Sequence, residues 1–407
     1  MSTAPEESEP WLWVVGIGDD GLASLSEAAR SAVAAADVLV GGARHLAMLP
    51  DHPAEQLVWR TPLSETLSDL AARRGRRVVV LASGDPMHFG VGELLVRHFM
   101  PAELRILPSP SVYSLICARL GWSLAEVETL SLHARPAALL QRYLHPGTRL
   151  IVLSEDGSTP GLIAATLVRR GFGPSLIWIF EHLGGARERC IEGLAEAWPG
   201  GAFAALNTVA IECRPGPDAV IRSPAPGLPD DAFESDGLLT KREVRATTLA
   251  RLEPVPGQCL WDVGAGSGAV AIEWLRASRR MAAIAIERDA GRCARIRSNA
   301  ERLGVPELMV VEGSAPACLA GLPPPDAVFI GGGLGTAGLL EACWQALGPG
   351  GRLVANAVTL EAERTLMGWQ AEHGGELVRI AVSRCEPLGA YQGWRPQMPV
   401  TQLAVRK

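Results

Sequence analysis

The chain of 407 residues is almost without lysine: of its 38 basic residues, only Lys241 and Lys407 are not arginine. A bias so complete reflects genome composition more than the needs of any one site, so single arginines say little and Lys241 stands out. No uncharged apolar run reaches 18 residues, which excludes a helix spanning a bilayer. The eight cysteines include no C-x-x-C pair and have no histidine at zinc-ligand spacing. That excludes a disulfide framework and a structural zinc site, and reduced core thiols are expected. A basic excess is missing too. Net charge is −6 and is negative on either side of residue 228, so the cationic face that nucleic acid demands is absent. Glu6, Glu7 and Glu9 stand where a signal peptide would be basic, and a soluble cytoplasmic protein is expected. No Ser/His/Asp set and no metal-ligand cluster can be picked out, and no metal is expected.

What is present is an ordinary globular composition, 48% hydrophobic and 20% charged, in a chain long enough for two or three domains. Pro215, Pro217, Pro224, Pro226 and Pro229 crowd one short stretch that can sustain neither helix nor central strand. The expected layout is therefore a domain over residues 1–213, a semi-rigid linker over 214–231 and a second domain over 232–407.

The second domain turns on Trp261-Asp262-Val263-Gly264-Ala265-Gly266-Ser267-Gly268. Residues 259–263 read as a buried parallel strand and Ala269 to Leu275 as the next helix. The alternating glycines between them let a ligand approach the backbone at a helix amino end. The following strand, from Ala282, ends at Glu287, whose carboxylate is placed to accept both hydroxyls of a ribose. Gly264 to Ala269 can be forced into the G-x-G-x-x-A form of a nicotinamide site, and a plain turn is the bland reading. Asp262 ahead of G-x-G-x-G instead resembles the class I S-adenosylmethionine methyltransferases. A third strand ends at Gly313-Ser314-Ala315-Pro316, a fourth lies within 325–333, and a fifth within 348–359. The tail over 376–405 is expected to supply the antiparallel strand pair that closes such a sheet, with two runs around Pro387 to Tyr391.

The first domain alternates strands (11–15, 37–40, 77–82, 104–107) with helices, which implies a parallel α/β sheet. Ligands of such sheets bind in the loops after the strands, here Gly16-Ile17-Gly18-Asp19-Asp20-Gly21, Ser83-Gly84-Asp85-Pro86 and Pro108-Ser109-Pro110-Ser111. Each loop alone is ordinary. In this order, and with Glu181-His182-Leu183-Gly184-Gly185 further on, they resemble the tetrapyrrole methylase family, a two-lobed fold that holds S-adenosylmethionine between its lobes. The departure is Asp19-Asp20, where that family commonly has Gly-Pro-Gly. His88 and His133 lie near the loops and are open to substrate contact or to plain packing.

Thr240 and Glu243 make a capping box for a helix running to Arg251. The second domain also resembles the small decarboxylating precorrin methyltransferases, in which a Thr-Lys-Arg-Glu segment precedes the glycine loop and its threonine reaches the cofactor. Gly-Asp-Ala-Pro is usual there where this chain has Ser314. The pairing as a whole resembles the fused C5,15-methyltransferases of cobalamin synthesis. That resemblance implies two S-adenosylmethionine sites, C5 methylation by the first domain, and C15 methylation with loss of the C12 acetate carboxyl by the second. Cofactor residues implied are Gly16, Gly18, Gly84, Asp85, Pro86, Ser109, Ser111, Thr240, Gly264, Ala265, Gly266, Ser267, Gly268, Glu287, Ser314 and Ala315. Lys241 is the candidate catalytic group, and Arg242, Arg245, Arg384 and Arg395 are candidates for the substrate's carboxylates. Tyr391 and Trp394 are open to covering a macrocycle face or to packing in the tail. A tetrapyrrole substrate and self-association are expected, with no membrane partner. An RNA methyltransferase and a non-catalytic tetrapyrrole carrier remain as alternatives.

Overall fold

The structure, a computed structural model, describes residues 10–198 and 200–407, so Glu6, Glu7 and Glu9 lie outside the described residues. The chain divides into two compact units. One comprises the described residues up to Arg135 with Leu144–Val220, the other Pro136–Tyr143 with Ile221–Lys407.

Among the described residues the first unit holds two five-stranded sheets. Strands β1 (Leu12–Ile17), β2 (Val38–Gly41), β3 (Glu55–Val58), β4 (Val78–Ser83) and β5 (Leu104–Leu107) lie in the order β3-β2-β4-β1-β5, all parallel. Val14, Val15, Val79 and Val80 are fully buried, as a sheet covered on both faces requires. Ser26 caps the Glu27–Ala34 helix, its hydroxyl accepting from Ala29 N at 3.2 Å. The second sheet comprises β6 (Val127–Ser131), β7 (Arg149–Leu153), β8 (Leu176–Glu181), β9 (Arg189–Leu194) and β10 (Asn207–Glu212), in the order β6-β7-β10-β8-β9. Here β10 runs antiparallel to both neighbours and β6 parallel to β7; the parallel expectation, drawn from the strands of the first sheet, holds there.

The second unit is built on a seven-stranded sheet of order β13-β12-β11-β14-β15-β19-β16. Its strands are β11 (Cys259–Val263), β12 (Ala282–Glu287), β13 (Met309–Glu312), β14 (Ala327–Ile330), β15 (Arg352–Ala357), β16 (Glu376–Ile380) and β19 (Val400–Arg406). The pairing of β19 with β15 and with β16 is antiparallel. The strands around Pro387, β17 (Ser383–Leu388) and β18 (Tyr391–Pro396), form a separate two-stranded sheet instead of closing the main one. The reason is visible in the residues: β19 buries Val400, Leu403 and Val405, whereas Leu388, Tyr391 and Trp394 of the hairpin are exposed.

The proline-rich stretch is divided between the units at Val220. Gly216 N and Val220 N donate to Gly171 O and Arg170 O of the first. Beyond it, Gly227 N and Leu228 N donate to the buried Glu273 carboxylate of the second, and Leu228, Ala232, Phe233 and Leu239 enter that unit's core.

Candidate active site

Parallel register brings the ligand-facing loops of the second unit to one edge: Val263 pairs with Ile286 and Ile330, and Glu287 with Glu312. Gly264, Gly266 and Gly268 all have left-handed φ, of 70°, 59° and 77°. A Cβ on Gly264 would lie 2.9 Å from Gly332 N, and one on Gly268 2.8 Å from the Ile296 side chain. Glycine is thus required both by conformation and by space. Glu287 is buried and accepts from Gly266 N at 3.0 Å with one oxygen and from Arg288 N and Asp289 N with the other. Asp262 is buried as well. Its Oδ2 accepts from Ala271 N at 3.0 Å, while Oδ1 is buried with no hydrogen-bond partner. Burial raises its pKa to about 7, the Ala271 N–H opposes that rise, and the charge of Glu287 adds to it.

The segment before the helix Arg242–Leu252 is tied to the glycine loop by Asn299, which is fully buried. Its Oδ1 accepts from Glu234 N at 2.8 Å and its Nδ2 donates to Ser267 O at 3.0 Å. Ser267 is itself buried, and Ala265 N and Gly268 N are taken by Ile286 O and Ala265 O. Ser314 and the half-buried Ala315 follow β13, where Gly313 N donates to Glu287 O.

Thr240 is no cap. Lys241 occupies the N-cap without a side-chain bond, and the Thr240 carbonyl accepts from Arg245. Arg245 is also corrected as a substrate contact. It is fully buried, its Nε donates to Glu273 at 2.7 Å, its Nη1 meets Asp230 at 3.2 Å, and its guanidinium lies over Phe233. Arg384 is held by Asp230 and Glu243, and the hydrogen bond from Arg384 lowers the pKa of Glu243. These residues line a depression of about 380 Å³ with Pro229, Asp231 and Arg242. Its three carboxylates make it a poor receptor for an anionic group. Arg395 meets Glu386 at 3.3 Å and stays largely exposed, as does Arg242.

In the first unit the three loops are laced together. A Cβ on Gly16 would stand 1.9 Å from Gly84 O, so only glycine fits. Ser109 donates from Oγ to Gly16 O at 2.7 Å and from N to Gly84 O at 3.2 Å, and Gly84 N donates to Ile17 O. Ser111 caps the Val112–Leu120 helix, Asp85 accepts from Met87 N, and Pro86 O accepts from Gly92 N. Gly18 bridges to Gly21 across Asp19 and Asp20. His88 stacks on Tyr113 at 4.2 Å, and its burial lowers its pKa. His133 is exposed beside Glu155.

Sequence reading missed a polar cluster at this edge. Asp19 accepts from Arg44 at 2.9 Å and meets His182 Nδ1 at 3.2 Å, and Arg44 and His45 both contact Ser83. Burial, aided by the charge of Arg44, lowers the pKa of His45 to about 4. The displacement of Gly-Pro-Gly by Asp19 was the available signal.

Known proteins bear on both units. Residues 11–198 match the family model of tetrapyrrole (corrin/porphyrin) methylases, and residues 231–407 match that of the precorrin methyltransferase domain. Both units thus match methyltransferase families. A Sinorhizobium protein called precorrin-6Y C(5,15)-methyltransferase (decarboxylating) is 48% identical over 402 residues, covering 98% of this chain and 97% of its own. The chain belongs to that family. Two Salmonella typhimurium proteins each match a part. A cobalt-precorrin-7 C(5)-methyltransferase is 38% identical over 44% of this chain and 88% of its own. A cobalt-precorrin-6B C(15)-methyltransferase (decarboxylating) is 33% identical over 42% of this chain and 89% of its own. Membership implies S-adenosylmethionine as methyl donor. The glycine cradle and the partnerless Asp262 Oδ1 suit such a group, whose ammonium can meet a buried carboxylate.

Proposed function

We propose that the chain carries two S-adenosylmethionine sites, one per unit, and applies them to one substrate. Residues 11–213 methylate C5 of precorrin-6; residues 232–407 methylate C15 and remove carbon dioxide from the C12 acetate, giving precorrin-8 of cobalamin biosynthesis. The observation that carries this reading is that a backbone-lined loop edge occurs twice, at Gly264, Gly266 and Gly268 and again at Gly16, Gly84 and Ser109. The Salmonella proteins, named for one position each and matching less than half of this chain, support one methylation per unit.

In the second unit Thr240, Gly264, Ala265, Gly266, Ser267, Gly268, Ser314 and Ala315 would surround the cofactor, with Glu287 accepting from the ribose hydroxyls. In the first, Gly16, Gly18, Gly84, Asp85, Pro86, Ser109 and Ser111 would do so. The donor supplies a sulfonium-activated methyl, and a meso carbon of a reduced tetrapyrrole is an enamine-type nucleophile, so the chain's task is alignment and charge management. Lys241 is suited to the second part. A cation at a helix amino terminus opposes the helix dipole, and a bound acetate carboxylate would relieve that opposition. Arg242 and Arg395 remain the candidates for other carboxylates, and the exposed rings of Tyr391 and Trp394 are free to lie on a macrocycle. In this reading the protein works in the cytoplasm as a homo-oligomer without a nucleic-acid partner. Among the described residues no helix is long and apolar enough to cross a membrane.

Full-length protein incubated with S-adenosylmethionine and precorrin-6, followed by mass measurement of the product, should add two methyl groups and remove one carbon dioxide. A single methyl gained, or no loss of carbon dioxide, would sink the reading.

A further inference from the structure

Methylation at a meso carbon replaces C–H by C–CH3, so a proton must leave. The carbon's π-electron pair forms the new bond while the methyl–sulfur bond breaks onto sulfur. The C–H pair then refills the π-system as the proton departs. Nothing assigned so far in the first unit accepts that proton. From the structure we infer that His182 is the acceptor, poised by Asp19. This assignment rests on the reading of the first unit as a C5 methyltransferase.

Three independent observations converge on it. His182 stands just past the carboxyl end of β8 with φ of +49°, a left-handed conformation that non-glycine residues seldom adopt and that is retained where the surroundings enforce it. Its Nδ1 faces Asp19 Oδ2 at 3.2 Å, and the two side chains are 16% and 11% exposed. Gly185 makes room for this contact, because a Cβ there would lie 2.6 Å from Asp19 Oδ2. Asp19 belongs to the loop after β1, so the pair joins the ligand-facing edges of both sheets of this unit.

Arg44 donates to Asp19 at 2.9 Å, and a carboxylate so paired can only accept. Nδ1 therefore carries the proton and Nε2 is left as the basic nitrogen. Arg187 Nη2 also lies 3.3 Å from Nδ1, but Arg187 is exposed and can turn to water, whereas Asp19 cannot. Glu181 is the other charge beside His182. It is occupied by Arg189 and by Ala204 N. His45, whose ring is kept neutral next to Arg44, adds no competing cation. The proton on Nε2 then passes to water.

The test uses full-length protein with His182→Asn, chosen because asparagine tolerates left-handed φ, and with Asp19→Asn. Nitrogen-15 NMR of the unliganded parent should show His182 as the Nδ1-protonated tautomer. In single-turnover assays His182→Asn should slow C5 methylation by about 100-fold or more, the range for losing a general base, with S-adenosylmethionine affinity and C15 methylation unchanged. Asp19→Asn should shift the tautomer and the acidic limb of the pH–rate profile. An Nε2-protonated parent, or His182→Asn that methylates C5 within threefold of the parent, overturns the assignment. A parent that never methylates C5 overturns the functional reading, and the assignment falls with it.

Discussion

At the scale of single residues, the two acids of the second unit act in opposite senses. Glu287 accepts from backbone N–H groups on both oxygens, so it shapes the loop. Glu287→Ala should weaken S-adenosylmethionine binding by about 1.5–3 kcal/mol, the range for a hydrogen bond to a charged group; titration calorimetry reads this, and unchanged affinity would remove Glu287 from the site. Asp262 is a buried carboxyl whose pKa is raised from 3.8 to about 7. A carboxyl raised in the folded state contributes stability below the unfolded value, and that contribution is lost as pH rises through the folded one. The unliganded protein should therefore lose stability between about pH 4 and pH 7 on account of this group. Asp262→Asn should flatten that part of the denaturation profile, and an unaltered slope would show that Asp262 is ionised throughout. Lys241→Ala should lower kcat for C15 methylation while leaving cofactor affinity in place; equal turnover at saturating substrate would mark Lys241 as a solvated helix start.

At the scale of elements, what could be read from the sequence was what depends on neighbours in the chain. The Gly264 loop needs left-handed φ at alternate positions and an acid at the next strand tip, and all of that lies within 26 residues, from Asp262 to Glu287. Gly264→Ala should cost at least about 1–2 kcal/mol for a forced left-handed residue, beyond the clash with Gly332, and thermal melting of the variant measures it. The second sheet of the first unit was not legible, because its order depends on β10 inserting between β7 and β8, a pairing no local pattern announces. The closing strands were misplaced for a similar reason: the hairpin β17–β18 has the stronger turn, while β19 has the buried side chains. Arg245 was misread because its fate is decided by Glu273, a partner across the packing of two helices. It also explains the missing Thr240 cap, since Arg245 takes up the carbonyl there.

At the scale of the whole molecule, the proline-rich stretch looked like a linker by composition, yet its second half is tied to the second unit and Leu228 enters that unit's core. Leu228 is buried with Ala232 and Phe233, and the Glu273–Arg245 pair is closed over by Gly227 and Leu228. A fragment of residues 221–407 should therefore melt cooperatively. It lacks Pro136–Tyr143, none of which is among the described members of the cores built on Leu260 and on Val328. A fragment of residues 236–407 should aggregate or melt without cooperativity, since it uncovers the buried ion pair and forfeits about 1.5–3 kcal/mol for each large apolar side chain removed. Equal melting of the two fragments would refute this. The homology to the precorrin methyltransferase domain begins at residue 231, with ten residues, 221–230, between it and Val220. A recombination joint placed at the start of that homology would sever Glu273 from the amides of Gly227 and Leu228. Any graft of this module onto another carrier must therefore bring its leader from Ile221 onward, a segment that the domain-family match leaves out.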